Sequence, residues 1–375
     1  MARIMVLAGY APSLILFRRE LLERLCELGH EVLACAADGD PHTSRILHEI
    51  GIQFEPVTLN RTGMNPLNDL VYLRDISRII RSYRPHVTLA YTIKPVIYGT
   101  LVATGMGVPE RFAMITGLGT SFQGTGFRAL IVNRLTRWLY RASLAKCKTV
   151  FFQNPDDQAL FIDANLIDQD KASMIPGSGI NLDRFSFSPP PGGAPRFLMI
   201  SRLIAEKGVR EFARAAAIVK KIHPDARFDL VGYLEDHPSA IRPEEIEQWE
   251  NENSITFHGK KTDVRPLLHE SSVFVLPTAY REGIPHTILE ALATGRAIIT
   301  TDTPGCRETV LEGSNGHLIP VGDVESLVDV MNRFAREPRL AISMGRHSRE
   351  LAEQKFDVRR VVETIVSAMG MDKAD

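Results

Sequence analysis

Short runs of apolar residues alternate along the chain with longer segments in which apolar positions recur every three or four residues. A short apolar run is typical of a strand buried on both faces, and the longer period is typical of an amphipathic helix. The alternation predicts a parallel, doubly wound sheet. In the first half of the chain the predicted strands are 3–7, 31–36, 53–57, 87–90, 111–115 and 149–152. The predicted helices there include a segment ending at 28, then 42–50, 68–83 and 127–145.

The stretch 186–195, SFSPPPGGAP, interrupts this pattern. Three consecutive prolines and two glycines cannot continue a helix or a central strand, so we interpret the stretch as a linker. A second alternating series starts at Phe197. The expected domains are 1–188 and 189–356, with 357–375 as a terminal helix that packs back on the first domain. Because doubly wound sheets bind ligands at the carboxyl ends of their strands, a ligand-binding cleft is predicted between the domains.

The stretch 273–290, VFVLPTAYREGIPHTILE, carries the most informative pattern. It predicts a buried strand, a polar turn, and a helix that begins near His286 behind a Gly-Ile-Pro tripeptide. The first N–H groups of a helix lack internal partners and lie at the positive end of its dipole, which makes this turn a predicted phosphate site. Glu282 and Glu290 flank it. Since carboxylates repel phosphate, we expect them to bind hydroxyls on either side of a diphosphate, those of a sugar and of a ribose.

The composition narrows the class of protein. The 375 residues carry a formal net charge of −1, which gives no indication of nucleic-acid binding. The 4 cysteines are scattered, so neither a disulfide framework nor a zinc site is predicted, and a cytoplasmic setting fits. The first apolar run leads into an amphipathic helix at Arg18, which favours a strand over a signal peptide. No apolar run approaches the roughly 20 residues that cross a bilayer.

Four motifs occur in order along the second half of the chain: GSGINLDRF (177–185), ISRLIAEKG (200–208), EGIPHTILE (282–290) and GRAIITTDTPGCRE (295–308). Together they resemble the retaining glycosyltransferases of family 4, which have the GT-B fold. The resemblance implies an α/β protein with two doubly wound, Rossmann-like domains facing each other across a cleft. In the first domain, TIKPVIYG (92–99) and ITGLG (115–119) are similar to a bacterial subset that acts on lipid-linked or polysaccharide acceptors.

The resemblance implies roles for four charged residues of the second domain. Arg202 and Lys207 would hold the donor diphosphate, and two cations at the carboxyl end of a strand can stabilise a departing UDP without a metal. Glu282 would bind hydroxyls of the donor sugar, and Glu290 would bind those of the ribose. The alternative for each is a solvated surface charge. Catalysis is assigned to Arg202, Lys207 and Glu282. The other expected donor-binding residues are Gly9, Gly283, Ile284 and Pro285.

The acceptor is expected on the first domain. Thr116, Gly117 and Gly119 belong to a glycine loop that would let a diphosphate-bearing acceptor approach, and an ordinary turn is the alternative. Lys94 ends the fourth strand at a position where many relatives carry a histidine. Gly9 lies where the first strand meets its helix, a place for a closely approaching backbone or for a simple turn.

A possible metal motif lies in the first domain. Asp38, Gly39 and Asp40 satisfy the D-x-D pattern by which another glycosyltransferase fold binds a divalent metal. The surrounding ADGDP is rich in turn-forming residues, and we interpret it as a turn. Neither a metal nor any other cofactor is expected.

A long basic stretch occupies 111–155, which contains seven basic residues and no acidic one. One interpretation is an amphipathic core helix with a solvated basic face. The other is an anionic membrane surface, near which each basic group contributes about 1 kcal/mol. We therefore expect peripheral association with the inner face of the cytoplasmic membrane. The predicted helix carries Arg128, Arg134, Arg137 and Arg141 interleaved with Phe127 and Trp138.

The sequence thus predicts a retaining hexosyltransferase of surface-polysaccharide or glycan biosynthesis. The donor is expected to be a UDP-linked hexose or N-acetylhexosamine, and the acceptor a saccharide, with a polyprenyl-diphosphate-linked one favoured. A UDP-N-acetylhexosamine 2-epimerase of the same fold and a non-catalytic nucleotide-sugar-binding protein are the alternatives. A nicotinamide dehydrogenase is disfavoured because no G-x-G-x-x-G comes after the first strand.

Overall fold

A computed structural model describes residues 1–37, 39–60, 66–118, 127–235 and 237–372, with side chains except at 66–68 and 127–129. The chain divides into two units, one formed by Met1–Gly179 with Val358–Asp375 and the other by Ile180–Asp357. The second unit is therefore a continuous piece of chain inserted before the last helix of the first.

The first unit alternates strands and helices. Its strands are β1 Arg3–Ala8, β2 Glu31–Ala37, β3 Gln53–Val57, β4 Val87–Tyr91, β5 Glu110–Ile115, β6 Thr149–Phe152 and β7 Ala172–Met174. Its helices before the second unit are α1 Pro12–Glu27, α2 Pro41–Glu49, α3 Pro66–Tyr83, α4 Thr100–Gly105, α5 Phe127–Leu144 and α6 Pro155–Asp163. A π-helical turn, Pro95–Gly99, runs directly into α4. Over the described residues the strands form one parallel sheet in the order β3-β2-β1-β4-β5-β6-β7.

The second unit repeats the alternation. Its strands are β8 Arg196–Ile200, β9 Arg227–Val231, β10 Thr256–Phe257, β11 Val273–Leu276, β12 Ala297–Thr301 and β13 Gly316–Ile319. Its helices are α7 Val209–Ile222, α8 Pro243–Asn251, α9 Arg265–Glu270, α10 His286–Thr294, α11 Val324–Arg336 and α12 Pro338–Leu351. In the part of this unit that is described, the strands form a parallel sheet in the order β10-β9-β8-β11-β12-β13. The predicted pair of doubly wound sheets is confirmed.

The first sheet is buried on both faces. Met5 and Leu7 of β1 belong to one apolar layer, and Ile4 and Val6 belong to the other. Successive side chains of a strand point to opposite faces, so both layers draw on the same short run. All four side chains are buried. The strand therefore has a continuous apolar sequence instead of an alternating one.

The last helix, α13 Val358–Met369, belongs to the first unit and packs against α1. Its buried residues Val361 and Ile365 share an apolar layer with Leu21 of α1. At the edge of this contact, Nε of Arg24 donates to Oε1 of Glu363 at 2.8 Å. An exposed pair of this kind contributes little, so the apolar contacts hold the helix in place.

The sequence pattern predicted no elements where α6 and β7 lie. The reason is visible in β7, whose residues are half-buried or exposed and include the polar Ser173. An edge strand of three residues has no apolar run by which it could be recognised. Helix α6 is capped by Asn154, whose side chain accepts from the N–H of Asp157 at 2.8 Å. The apolar pattern does not contain this capping signal.

Candidate functional site

The strand order of the second unit indicates a candidate ligand site. β8 and β11 are neighbours in the sheet, although the chain continues from β8 to β9 on one side and from β11 to β12 on the other. Loops that leave such a pair at its carboxyl end diverge and open a crevice, the usual ligand position in doubly wound sheets. Arg202 and Lys207 lie after β8, and Glu282 lies after β11. Three predicted site residues thus lie on the two loops at this point.

A glycine brings the two loops together. Gly208 has φ of +78°, and a Cβ at this position would lie 2.1 Å from the carbonyl oxygen of Pro277. Both the backbone conformation and the contact exclude a side chain. Gly208 also ends the 3₁₀ turn Ala205–Lys207 and begins α7. The AEKG sequence therefore fixes Lys207 against the end of β11.

Lys207 and Glu282 form an ion pair between the two loops. Their side chains are only 12% and 14% exposed. The sequence assigned Lys207 to the diphosphate and Glu282 to the sugar, and the structure brings the two into direct contact. Two opposite charges removed from water in this way attract each other strongly, and removing one of them is costly for the buried charge that remains.

Tyr280 lies beside both predicted cations. Its ring centroid is 5.0 Å from Nζ of Lys207 and 5.4 Å from Cζ of Arg202. These distances are within the range of cation–π attraction. Tyr280 is not among the residues predicted from the sequence, because a tyrosine in a polar turn gives no signal unless the loop after β8 is known to lie beside it.

Arg202 is held by a second acidic residue that the sequence did not identify. Its Nη1 lies 3.5 Å from Oε2 of Glu235, which belongs to the loop after β9. Burial alone would lower the pKa of the Arg202 guanidinium. The neighbouring Tyr280, Glu235 and Glu282 outweigh burial, so the pKa is raised above its ordinary value. The guanidinium therefore remains a cation through the physiological range.

The predicted phosphate turn enters α10 as expected. Pro285 is the N-cap of this helix, with Gly283 and Ile284 directly before it. A Cβ at Gly305 would lie 2.0 Å from the carbonyl oxygen of Gly283, so the TPGCRE segment packs directly against this turn. One turn into the helix, Oε1 of Glu290 lies 3.2 Å from Nδ1 of His286. Glu290 thus has a local partner on its own helix.

The predicted residues of the first unit lie at the carboxyl ends of its strands. Gly9 comes after β1, and a Cβ there would lie 2.5 Å from Oγ1 of Thr92, which comes after the neighbouring β4. Thr116 and Gly117 come after β5, and Gly119 lies outside the described residues. Gly9, Thr116 and Gly117 thus lie at one edge of the sheet. The donor-binding role of Gly9 and the acceptor-binding role of Thr116, Gly117 and Gly119 remain predictions.

Lys94 has a partner that the sequence analysis did not name. Its Nζ lies 2.7 Å from Oδ1 of Asp69 on α3, and both side chains are largely buried. Burial and a hydrogen bond to Asp69 raise the pKa of Tyr98 to about 12, which places this phenol in the same cluster. Asp69 compensates the charge of Lys94, and the role of Lys94 toward an acceptor stays a prediction.

One of the two aspartates of the D-x-D segment caps a helix. Asp40 is the N-cap of α2, and its Oδ2 accepts from the N–H of Thr43 at 3.0 Å and from Oγ1 of Thr43 at 2.5 Å. The hydroxyl of Thr43 is the main reason that the pKa of Asp40 is lowered. Asp38 lies outside the described residues. Within the described ranges, no three His, Cys, Asp or Glu side chains are grouped as a metal site.

Two family profiles cover most of the chain. The family described as glycosyl transferase 4-like domain matches residues 17–177, and that described as glycosyl transferases group 1 matches residues 194–337. The chain belongs to glycosyltransferase family 4. The family and the activity predicted from the sequence motifs are thereby confirmed.

Relatives of this family-4 glycosyltransferase match over nearly the whole chain. The N,N'-diacetylbacillosaminyl-diphospho-undecaprenol alpha-1,3-N-acetylgalactosaminyltransferase of Campylobacter jejuni is 26% identical over 369 residues, covering 94% of each chain. The UDP-Gal:alpha-D-GlcNAc-diphosphoundecaprenol alpha-1,3-galactosyltransferase of Escherichia coli is 26% identical and covers 89% of this chain and 87% of its own.

Solved structures support the GT-B fold. A glycosyltransferase from Rickettsia africae superposes with a TM-score of 0.78 at 20% identity, covering 99% of this chain and 98% of its own. Anabaena HepE, solved in complex with UDP and glucose, superposes with a TM-score of 0.77 at 17% identity, covering 99% of this chain and all of its own. The predicted fold class is confirmed.

Proposed function

We propose that this glycosyltransferase moves a hexose or N-acetylhexosamine from a UDP-sugar to a saccharide carried on a polyprenyl diphosphate, with retention of configuration. The observation that carries the proposal is the cluster of Arg202, Lys207, Tyr280 and Glu282 between β8 and β11, beside the start of α10. The names of the Campylobacter and Escherichia relatives, both transferases for diphospho-undecaprenol-linked substrates, support the acceptor class. Anabaena HepE with bound UDP supports the donor class.

The ion pair of Lys207 and Glu282 suggests how the donor enters. The diphosphate competes with the carboxylate of Glu282 for the ammonium of Lys207. When the ammonium turns to the phosphate, the carboxylate is released and accepts hydrogen bonds from hydroxyls of the donor sugar. Binding of the diphosphate by Lys207 and binding of the sugar by Glu282 are therefore coupled, because each requires the ion pair to open.

The reaction needs no protein nucleophile. The bond between the anomeric carbon and the β-phosphate oxygen breaks, and the acceptor hydroxyl attacks the same face of the sugar. The acceptor proton passes to the departing phosphate oxygen. Arg202 and Lys207 stabilise the negative charge that develops there, which is the usual largest contribution of such a site.

The exposed surface of α5 supports a membrane-bound acceptor. Arg134, Arg137 and Arg141 are exposed at spacings of three and four residues, which keeps them on one face. Apolar side chains share the solvent side of the same helix: Leu130 is 68% exposed, Ile131 54%, Leu135 55% and Trp138 64%. Among the described residues, no helix is long and apolar enough to cross a membrane.

We infer that α5 attaches the enzyme to the anionic inner face of the cytoplasmic membrane. Arginines and a tryptophan interleaved with aliphatic residues are the composition of helices that lie in the interface of a bilayer. The basic stretch by itself predicted an electrostatic attachment, and the exposed apolar residues add apolar contact with the bilayer. Attachment would bring the enzyme to the leaflet in which a polyprenyl-linked acceptor is anchored.

A panel of nucleotide sugars tests the proposed donor. The enzyme is incubated with several UDP-hexoses and UDP-N-acetylhexosamines, and nucleotide release is measured with and without a polyprenyl-diphosphate-linked saccharide. We expect UDP release with one or two of these donors and stimulation by the acceptor. Conversion of a UDP-N-acetylhexosamine to its 2-epimer without transfer would instead support the epimerase alternative.

A further inference from the structure

Glu206 is the residue at which three loops of the donor site meet. It precedes Lys207 in the 3₁₀ turn Ala205–Lys207, and its side chain is partly buried. Its place in the sequence alone predicts no role for it. Its contacts extend to the turn after β11, which carries Tyr280, and to the loop after β9, which carries Ser239.

The main-chain carbonyl of Glu206 holds the turn after β11. It accepts from Oγ1 of Thr278 at 3.0 Å, from the N–H of Ala279 at 2.8 Å and from the N–H of Tyr280 at 3.1 Å. Oγ1 of Thr278 also accepts from the N–H of Tyr280 at 3.0 Å. These bonds fix the backbone from which the Tyr280 ring reaches Arg202 and Lys207.

The carboxylate of Glu206 holds the loop after β9. Its Oε2 accepts from Oγ of Ser239 at 2.5 Å. The carbonyl oxygen of Ser239 accepts in turn from the N–H of Ala205 at 2.8 Å, and the N–H of Ile241 donates to the carbonyl oxygen of Leu203 at 2.8 Å. Nδ1 of His237 lies 2.9 Å from Oγ of Ser239. The side-chain bond therefore closes a ring of contacts around the turn that carries Lys207.

We propose that Glu206 is a positioning residue for glycosyl transfer, acting through Lys207 and Tyr280. The proposal rests on the proposed function, because it assumes that Lys207 stabilises the departing phosphate. Lysine has a long, flexible side chain and several rotamers, so the backbone from which it starts must be fixed if the ammonium is to meet the phosphate. A displacement of about 1 Å in such a group costs on the order of 100-fold in rate.

A set of variants tests this role in the full-length enzyme with an active UDP-sugar. Glu206→Ala and Ser239→Ala each remove one side of the carboxylate–hydroxyl bond, and Glu206→Gln keeps an oxygen that can accept from Ser239. Glu247→Ala is the matched control, since this glutamate is exposed on α8. We expect Glu206→Ala and Ser239→Ala to lower kcat about 10-fold with little change in donor KM. Glu206→Gln and the control should stay within about 2-fold of the wild type.

Measuring the effect of Glu206→Ala in the Lys207→Ala variant separates a positioning role from a general loss of structure. If Glu206 acts through Lys207 and Tyr280, adding Glu206→Ala to Lys207→Ala lowers kcat by clearly less than the roughly 10-fold expected in the wild type. An equal loss in both backgrounds, or a kcat of Glu206→Ala within about 2-fold of the wild type, would overturn the proposal while leaving glycosyl transfer intact.

Hydrogen exchange gives a readout independent of activity. The amide of Ala205 donates to Ser239, and it should exchange faster in Glu206→Ala and in Ser239→Ala than in the control. A wild type inactive with every donor would reject the proposed function and, with it, a role of Glu206 in transfer. Hydrogen exchange still tests the contact itself: faster exchange at Ala205 supports the bond of Glu206 to Ser239 as what fixes this turn, and unchanged protection overturns it.

Discussion

At the scale of single residues, the ion pair of Lys207 and Glu282 links the two halves of the donor site. Both side chains are largely buried. The proposed function assigns them to different parts of one ligand, Lys207 to the diphosphate and Glu282 to the sugar. Arg202 differs, because it faces Glu235 and Tyr280 and is more exposed. In the proposed mechanism the two cations therefore stabilise the same leaving group from different surroundings.

We predict that Arg202→Ala lowers turnover by about 100-fold, since removal of one electrostatic stabiliser of a developing charge usually has an effect of this size. Lys207→Ala should have a similar effect on turnover and should also lower thermal stability, because it removes the cation that forms an ion pair with the largely buried carboxylate of Glu282. Steady-state release of UDP and thermal unfolding measure the two effects.

Glu247→Ala serves as the control for both substitutions, and circular dichroism verifies the fold. Turnover close to that of the wild type in both Arg202→Ala and Lys207→Ala would remove these residues from the site.

The sequence identified some of these residues and missed others for a physical reason. Arg202, Lys207, Glu282 and Glu290 belong to local motifs, so their neighbours along the chain point to them. Contacts with loops that are distant in sequence bring the other residues, Tyr280, Glu235 and Glu206, into the site. Such contacts depend on the order of strands in the sheet, which a local pattern does not contain.

At the scale of elements, α5 combines two surfaces. Its inner side carries the buried Tyr140 and Leu144, and its outer side carries arginines beside exposed apolar residues. The sequence left a core helix and a membrane-binding helix open as interpretations. The exposure of Trp138 and Leu135 favours the second, because a core helix would cover them.

We predict that the protein pellets with phosphatidylglycerol vesicles at low salt and that the triple variant Arg134→Glu, Arg137→Glu, Arg141→Glu does not. Each basic group contributes about 1 kcal/mol near an anionic surface, so the three together support weak, reversible binding. High salt should release much of the wild type, since the Debye length falls to about 3 Å at 1 M. Vesicle sedimentation measures the bound fraction.

The triple variant should bind UDP normally and lose activity on a polyprenyl-linked acceptor. A variant with glutamates at three exposed arginines of α11 and α12, Arg333, Arg336 and Arg346, controls for the change in net charge. If the α5 variant still pellets, or if the wild type ignores anionic vesicles, α5 is not the attachment surface.

The strands were predicted well because of where they lie. A parallel strand covered on both faces must be apolar throughout, as Val273–Leu276 of β11 is. Such a strand is therefore visible in the sequence as a continuous apolar run. The edge strand β7 and the two-residue β10 have no such requirement. Bounds of the central strands therefore agreed with the sequence pattern. The edge strand β3 was also predicted with its observed bounds, 53–57, whereas β7 at the other edge of the same sheet was missed.

At the scale of the whole molecule, two doubly wound units are built from one chain, and the proposed mechanism gives Arg202 and Lys207 of the second unit the part that a metal plays in other glycosyltransferases. We predict that transfer survives EDTA, because Arg202 and Lys207 stabilise the leaving group and Asp40 is engaged as the cap of α2. UDP release with excess EDTA, compared with added magnesium, measures this. Activity lost in EDTA and restored by magnesium would return Asp38 and Asp40 to consideration.

The stereochemistry of the product tests the central claim most directly. The enzyme is supplied with its active UDP-sugar and a polyprenyl-diphosphate-linked saccharide, and the new glycosidic bond is examined by proton NMR. Front-face transfer predicts that the bond keeps the α configuration of the donor, and that Arg202→Ala forms the same product about 100-fold more slowly. A β-linked product would contradict the mechanism, and the absence of any new glycosidic bond would contradict the proposed transfer to this acceptor class.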